Sequence, residues 1–408
     1  MSWTRPGRLR RTLKRIGVPT PLVTVTGDNF TVGDDDVTSL GITHGGTDPS
    51  PGIQPSTCEA VIQRPAWIKT GQDFTVKLTP AAAAAIAART TIPASRFTER
   101  FTGRAGSQVN TDTPRGLSAR IKAASWSAQL SRVNVERWFN AGTTVNDAIR
   151  LLCDSPALPQ IDFRNYGTFD LLAEQIPDAT YRNTLASISS DIGVLVRDTR
   201  AGQLEAWPLE YRMQWAADRI PEQYPLTRSQ ALSPATWEQP NEDMPAKVRA
   251  DWIGPDGSPV AISAGGTDES IVERHDWTHI RARTSSLEQR FRALVNQAWD
   301  RIFRLPSVKV DLLYLLGSDN PYHRGQAGML LSLNAGDTIG FSGDWYSNLQ
   351  GLQVVTGIDE QITGSAWTLT LSLAPHKLVF GEESPPVPAL VWDSATYPWD
   401  DETRTWNH

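Results

Sequence analysis

The chain has 408 residues, 39% of them hydrophobic and 21% charged, a composition ordinary for a soluble protein and a length natural for two or three domains. Its net charge of −6 argues against a general nucleic-acid binder, and no run of about 18 apolar residues is present to span a membrane. The two cysteines, Cys58 and Cys153, make neither a metal-ligand spacing nor a disulfide framework, so buried free thiols are expected.

The N-terminus is basic: Arg5, Arg8, Arg10, Arg11, Lys14 and Arg15 precede any acid. A secretion signal would next need about 7–15 apolar residues. Instead Ile16-Gly17-Val18-Pro19-Thr20-Pro21 follows, short and broken by proline. Residues 1–17 read as a flexible basic arm that contacts something acidic, or as a solvated end. No secretion route is visible, which implies synthesis in the cytoplasm.

Strand patterns come next. Leu22 to Thr26 opens them, and Thr57 to Ile62 and Phe74 to Leu78 alternate at period two. Thr79-Pro80 then starts an alanine-rich helix to about Arg89, with Thr79 as N-cap and Pro80 in the first turn. Strands resume at Arg96 to Gly103 and at Leu117 to Trp126, where Leu117, Ala119, Ile121 and Ala123 share a face. Residues 18–135 therefore predict a first β-barrel. Residues 136–230 read as a small α+β unit: short helices at 144–152 and 182–190, then a hairpin from Gly193 to Trp207.

Residues 231–375 predict a second β-barrel. Ala246 to Ile253 is a strand running into the turn Gly254-Pro255-Asp256-Gly257. Ser285 and Glu288 form a capping box for a long helix over 286–303, striped by Leu287, Phe291, Leu294, Val295, Ala298 and Ile302. Strands follow at Gly336 to Phe341, Gln353 to Ile358 and Trp367 to Leu373. In the last, Trp367, Leu369, Leu371 and Leu373 face one way and Thr368, Thr370 and Ser372 the other, which predicts a sheet covered on one side only.

Residues 376–408 form an acidic, proline-containing tail with a seven-residue Trp repeat: Trp392-Asp393, Trp399-Asp400 and Trp406-Asn407. Pro398 and the Asp, Ser and Thr content oppose a coiled coil and favour tight turns. Apolar groups of this size mark a contact surface. Trp392, Asp393, Trp399, Asp400 and Trp406 are the candidate protein-docking residues; the alternative is a tail that folds back on its own domain.

The search for chemistry is mostly negative. None of the common phosphate-binding, nucleotide-binding, zinc-protease or serine-hydrolase motifs occurs. His275 and His279 are four apart, but their surroundings read as a strand or loop. Asp34-Asp35-Asp36 and Asp400-Asp401-Glu402 read as solvated turns rather than ion or sugar-cleaving sites. No catalytic residue, cofactor or metal is expected.

Several stretches carry a family likeness. Val37 to Gly46, then Gln54-Pro55-Ser56-Thr57-Cys58, is similar to the opening pattern of minor tail proteins of long-tailed phages infecting actinobacteria, and more broadly of the phage tail hub. Phe97-Thr98-Glu99-Arg100-Phe101-Thr102-Gly103-Arg104 resembles a strand of that family. The 286–303 helix, the Gly336-Asp337 strand and the Trp-Asp tail resemble its later parts. The chain departs from the pattern at Gly45-Gly46, where a Trp-Gly-Arg would be expected.

The resemblance implies a mainly β fold with α+β elements: two β-barrel hub domains flanking a small α+β domain, with an extended tail. It implies a non-enzymatic virion protein, a homotrimer that closes the tail tube at the tail tip. Its implied partners are a distal tail or tail-tube ring protein, the tape-measure protein and other minor tail proteins. Two rival readings are a receptor- or carbohydrate-binding tip protein, since Trp beside Asp suits sugar rings, and a cell-wall hydrolase. The hydrolase would need two carboxylates about 5–10 Å apart in a cleft, and no matched pair is apparent.

Overall fold

A computed structural model describes residues 8–27, 30–33, 36–46, 55–63, 70–113, 116–125, 127–128, 130, 143–144, 147, 171–172, 195–207, 224–232, 245–254, 256–265, 272–281, 291–292, 294–295, 305–343, 345, 351–376 and 379. The fold is mainly β with a few helices.

The first helix, α1 (Arg8–Arg15), corrects the expectation of a flexible arm. Leu9 and Leu13, four apart, lie on one face and are buried, while Arg11, Lys14 and Arg15 are exposed. The helix ends in a Schellman motif. Gly17 sits at φ +73°, Gly17 N donates to Lys14 O at 3.2 Å and Val18 N to Leu13 O at 2.9 Å. The two leucines among the arginines and the glycine that closes the helix were the available signals.

Strand β1 (Val23–Gly27) lies where a strand was expected, β2 (Phe30–Gly33) was not expected, β3 (Val37–Gly45) lies in the stretch that carried the family likeness, and β4 (Thr57–Gln63) and β5 (Asp73–Leu78) follow the expected alternation. Helix α2 (Pro80–Thr90) has Thr79 at its N-cap, the Oγ1 accepting from Ala82 N at 3.3 Å. A short 3-10 turn, Ala94–Arg96, then delays β6 (Glu99–Thr113), which pairs with β7 (Gly116–Ala124). Ala119, Ile121 and Ala123 are buried as expected, but Leu117, at the hairpin end, is exposed.

In the middle of the chain, β8 (Leu171–Leu172) is described, and β9 (Leu195–Asp198) pairs with β10 (Leu204–Trp207) as the expected hairpin. The helices expected at 144–152 and 182–190 lie largely outside the described residues. Then come β11 (Lys247–Ile253), β12 (Pro259–Gly265) and β13 (Val272–Arg281), which with β8 form a four-stranded sheet in the order β12-β11-β13-β8. Of the expected long helix, Phe291, Arg292, Leu294 and Val295 are described, and all four are helical.

The last part holds β14 (Ser307–Asp311), α3 (Leu312–Gly317), α4 (Pro321–Ser332), β15 (Thr338–Phe341), β16 (Gly351–Thr363) and β17 (Trp367–Pro375). The main sheet has 11 strands and curls into a half-barrel, in the order β14-β17-β16-β3-β4-β7-β6-β5-β1-β2, with β15 on β16. The β strands from the two ends of the sequence therefore share one sheet, joined where β3 runs antiparallel to β16. At this seam Gly45 lies opposite Gly357. A Cβ on Gly45, at φ +69°, would meet Thr356 O at 2.2 Å, and one on Gly357 would meet Gly46 O at 2.6 Å, so two glycines are needed for the strands to close.

The face expected to be polar on β17 is not fully open: Thr368 is buried and Thr370 and Ser372 are half-buried. In β16, Leu352 to Ile358 is buried on both faces. The sheet is thus covered on both sides near its seam, and the expectation of one covered side fails there.

Candidate functional site

The seam carries a buried charge network. Glu360 lies on β16 between Ile358 and Ile362, all three buried on one strand face. Its carboxylate meets Arg100 of β6: Nε donates to Oε2 at 3.0 Å, Nη2 donates to the same oxygen, and Trp367 Nε1 donates to Oε1 at 2.8 Å. Both charged side chains have 0% exposure. Arg100 Nη1 also donates to Phe97 O at 3.3 Å and to Leu331 O at 2.8 Å.

A second arginine reaches the same place. Arg200, in the turn of the β9–β10 hairpin, donates from Nη1 to Leu331 O and from Nη2 to Leu333 O at 2.7 Å. Two guanidinium groups thus gather at the C-terminal end of α4, where the helix leaves carbonyls without partners and its dipole is negative. Burial, followed by the Arg100 charge, lowers Arg200 to about 9. Burial pushes Glu360 up, but the Arg100 and Arg200 charges outweigh it and hold the carboxyl below its ordinary value.

His44 and Asp198 complete the network. His44 follows Leu40 and Ile42 on the buried face of β3. Its Nε2 donates to Arg100 O at 2.9 Å, so Nδ1 accepts from Ser56 Oγ at 2.8 Å. Burial, then the charge of Arg200, lowers His44 to about 3, so the ring is neutral. Asp198, at the end of β9, accepts from Ser56 N at 2.9 Å, from Ser127 Oγ at 2.6 Å and from Ser125 Oγ. Burial raises its carboxyl, against the pull of those donors. Asp198 thereby anchors the hairpin beside the start of β4 and the end of β7, and Arg200 anchors it to the end of α4.

The network acts as a lock between these elements. Most of its donors and acceptors meet other protein groups among the described residues, Asp198 Oδ1 and Arg200 Nε being the exceptions, and the central pair has no exposure. Removing one partner of such a pair leaves an uncompensated buried charge, at a cost of about 3–5 kcal/mol. Among the described residues no group of three or more His, Cys, Asp or Glu is placed to hold a metal.

The residues singled out from the sequence fall unevenly. His44, Ser56 and Arg100 lie in the stretches that carried the family likeness, and they converge here. Gly103, in the same strand, lies so near β7 that a Cβ would meet Ala124 O at 2.3 Å. Cys58 is a buried free thiol, its pKa raised by burial. His275 is on a strand, its Nε2 2.8 Å from Glu273 Oε1; the side chain of His279 lies outside the described residues. Asp36 closes the turn into β3, its N donating to Gly33 O at 3.0 Å. Trp392, Asp393, Trp399, Asp400 and Trp406 lie outside the described residues. Sequence reasoning missed Asp198, Arg200 and Glu360. The signal for Glu360 was a carboxylate at an inward position of an alternating strand.

Known structures share this architecture. The chain is similar to a tail protein of Neisseria meningitidis MC58, with a TM-score of 0.59, 13% identity, and coverage of 89% of this chain and 99% of that one. It is also similar to the 43 kDa tail protein of prophage MuSo2 from Shewanella oneidensis, with a TM-score of 0.56, 12% identity, and coverage of 86% and 98%. No family model matches the sequence, and no curated protein matches it. The chain has the fold of these two tail proteins.

Proposed function

We propose that the chain is a structural, non-enzymatic component of a phage tail: a hub at the tail tip that closes the tail tube as a homotrimer and docks other tail-tip proteins. The observation that carries this reading is the shared fold, which extends over nearly the whole of two tail proteins. The seam supports it physically. Buried charge ties the β9–β10 hairpin, the end of α4 and strands β6 and β16 of the main sheet together. In this reading Trp392, Trp399 and Trp406 anchor a neighbouring tail protein, since buried aromatic anchors contribute about 2 kcal/mol or more each to an interface. A distal tail ring, the tape-measure protein and other minor tail proteins are the proposed neighbours, and the finished virion tail tip is the proposed location.

Light scattering of the purified full chain, combined with antibody labelling of intact virions under the electron microscope, tests this. Three times the chain mass and label confined to the tail tip are expected. A monomer at micromolar concentration with label elsewhere, or with none on virions, overturns it.

A further inference from the structure

We infer that the exposed basic face of α1 is a docking surface for the acidic C-terminal segment of the same chain. The face is built, not merely a run of charge. Leu9 and Leu13 fix the rotation of the helix, and the Gly17 cap fixes its end. Arg89 of α2 donates to Ile16 O at 3.2 Å and to Leu316 O at 3.0 Å, pinning the ends of α1 and α3 together. Arg11, Lys14 and Arg15 therefore stand outward as one patch, and none of the three forms an ion pair among the described residues. Arg8, at the far end of the helix, is 3.5 Å from Asp311.

The chain as a whole is acidic, so a positive patch selects its partner by charge. The segment beyond Val379 has the matching composition: six acidic side chains, Glu382, Glu383, Asp393, Asp400, Asp401 and Glu402, against Arg404 alone. It also has the reach. Leu9 N donates to Gly364 O at 3.2 Å, so α1 begins beside the turn that leads into β17. Strand β17 then carries the chain about 30 Å away. The residues after Val379 span up to about 90 Å when extended, three times the distance back. A tether of that length holds the acidic segment near its own α1 at roughly millimolar effective concentration, well above that of a second copy in dilute solution. The pairing uses carboxylates rather than indoles, so the Trp repeat stays available for another surface. It requires no other tail protein and stands or falls apart from the hub reading.

Zero-length carbodiimide coupling of the full chain tests it, because Lys14 is the lysine of the patch. Peptide mapping is expected to join Lys14 to carboxylates in 381–408, with the yield reduced at least fivefold by Arg11→Glu with Arg15→Glu and by about 1 M salt. Adding Asp400→Lys, Asp401→Lys and Glu402→Lys to the charge-reversed helix should not restore links to Lys14, but should yield links between positions 400–402 and positions 11 and 15. The link should remain within one copy when 15N-labelled and unlabelled chains are mixed. An unlinked Lys14, links only to acids outside 381–408, a yield unchanged by charge reversal, or links only between copies would each overturn it.

Discussion

The main sheet buries a charge pair, whereas the described part of the four-stranded sheet keeps its Arg–Asp pair outside. In the four-stranded sheet, Arg249 and Asp251 pair along the outer face of β11, Nη2 to Oδ1 at 2.9 Å, with side chains 41% and 38% exposed. Its buried face is apolar, with Trp252 and Trp277 6.4 Å apart between ring centroids. The main sheet also carries exposed pairs, such as Lys77 with Glu99 and Arg120 with Glu59, but its Arg100 and Glu360 sit inside, among aromatic and aliphatic groups. Water weakens an exposed pair and its loss costs little, whereas an interior pair is costly to break. The lesson is that an exposed pair on either sheet is an accessory, while the buried Arg100–Glu360 pair is a condition of assembly.

Four measurements sharpen or break that contrast. Arg100→Met, which leaves Glu360 buried without its cation, should destabilise the fold by about 3–5 kcal/mol in urea unfolding. A loss below 1 kcal/mol would make the seam charges as incidental as the surface ones. Leu371→Ala, in the same sheet but opposite Val308 and Ile358 rather than a charge, should cost about 2–5 kcal/mol through a cavity. An unchanged thermal midpoint would refute the assignment of its face.

The third measurement is pH. The unfolded chain takes up a proton on His44 near pH 6.5, while the folded chain refuses it until about pH 3. Stability should therefore fall as pH drops through that window, by up to about 1.4 kcal/mol per unit. Glu360, its folded pKa lowered, acts in the same direction, and Asp198, its pKa raised, acts against both. Urea midpoints across this range should lose about one proton's worth of slope in His44→Gln; an identical slope would remove His44 from the account. The smallest effect belongs to Arg249→Ala, which should cost less than about 1 kcal/mol. A loss of several kcal/mol would erase the distinction between the sheets.

Local grammar was legible in the sequence where side chains alternate against solvent. Thr79-Pro80 marked the start of α2, and Trp367 to Leu373 marked its strand, because one face is apolar and the other polar. Helices α3 and α4 were missed for the opposite reason. Nearly all of α4 is buried, so it has no polar stripe, and Gly325 and Gly328 lower its intrinsic preference. Those glycines exist for close packing: a Cβ on Gly325 would meet the Tyr224 ring at 2.3 Å, and one on Gly328 would meet Thr90 Cβ at 2.6 Å. Asn320-Pro321 did announce the helix, with Asn320 Oδ1 accepting from Tyr322 N at 2.8 Å. The network was half visible. His44 and Arg100 stood in stretches that drew attention, but Arg100 and Glu360 are 260 positions apart, and no local pattern announces such a pairing.

The join between β3 and β16 has a consequence in time as well as in space. Ser39 to Gly45 is made early on the ribosome, and its partner, Gly357 to Thr363, is made near the end. At about 5–20 residues per second, the β3 edge waits on the order of tens of seconds for its neighbour. That edge reads Ser39-Leu40-Gly41-Ile42-Thr43, without a charge to repel another chain. Many copies made side by side would present this edge to one another. The yield of folded protein is then set by how well the newborn chain is kept apart until its last strands arrive.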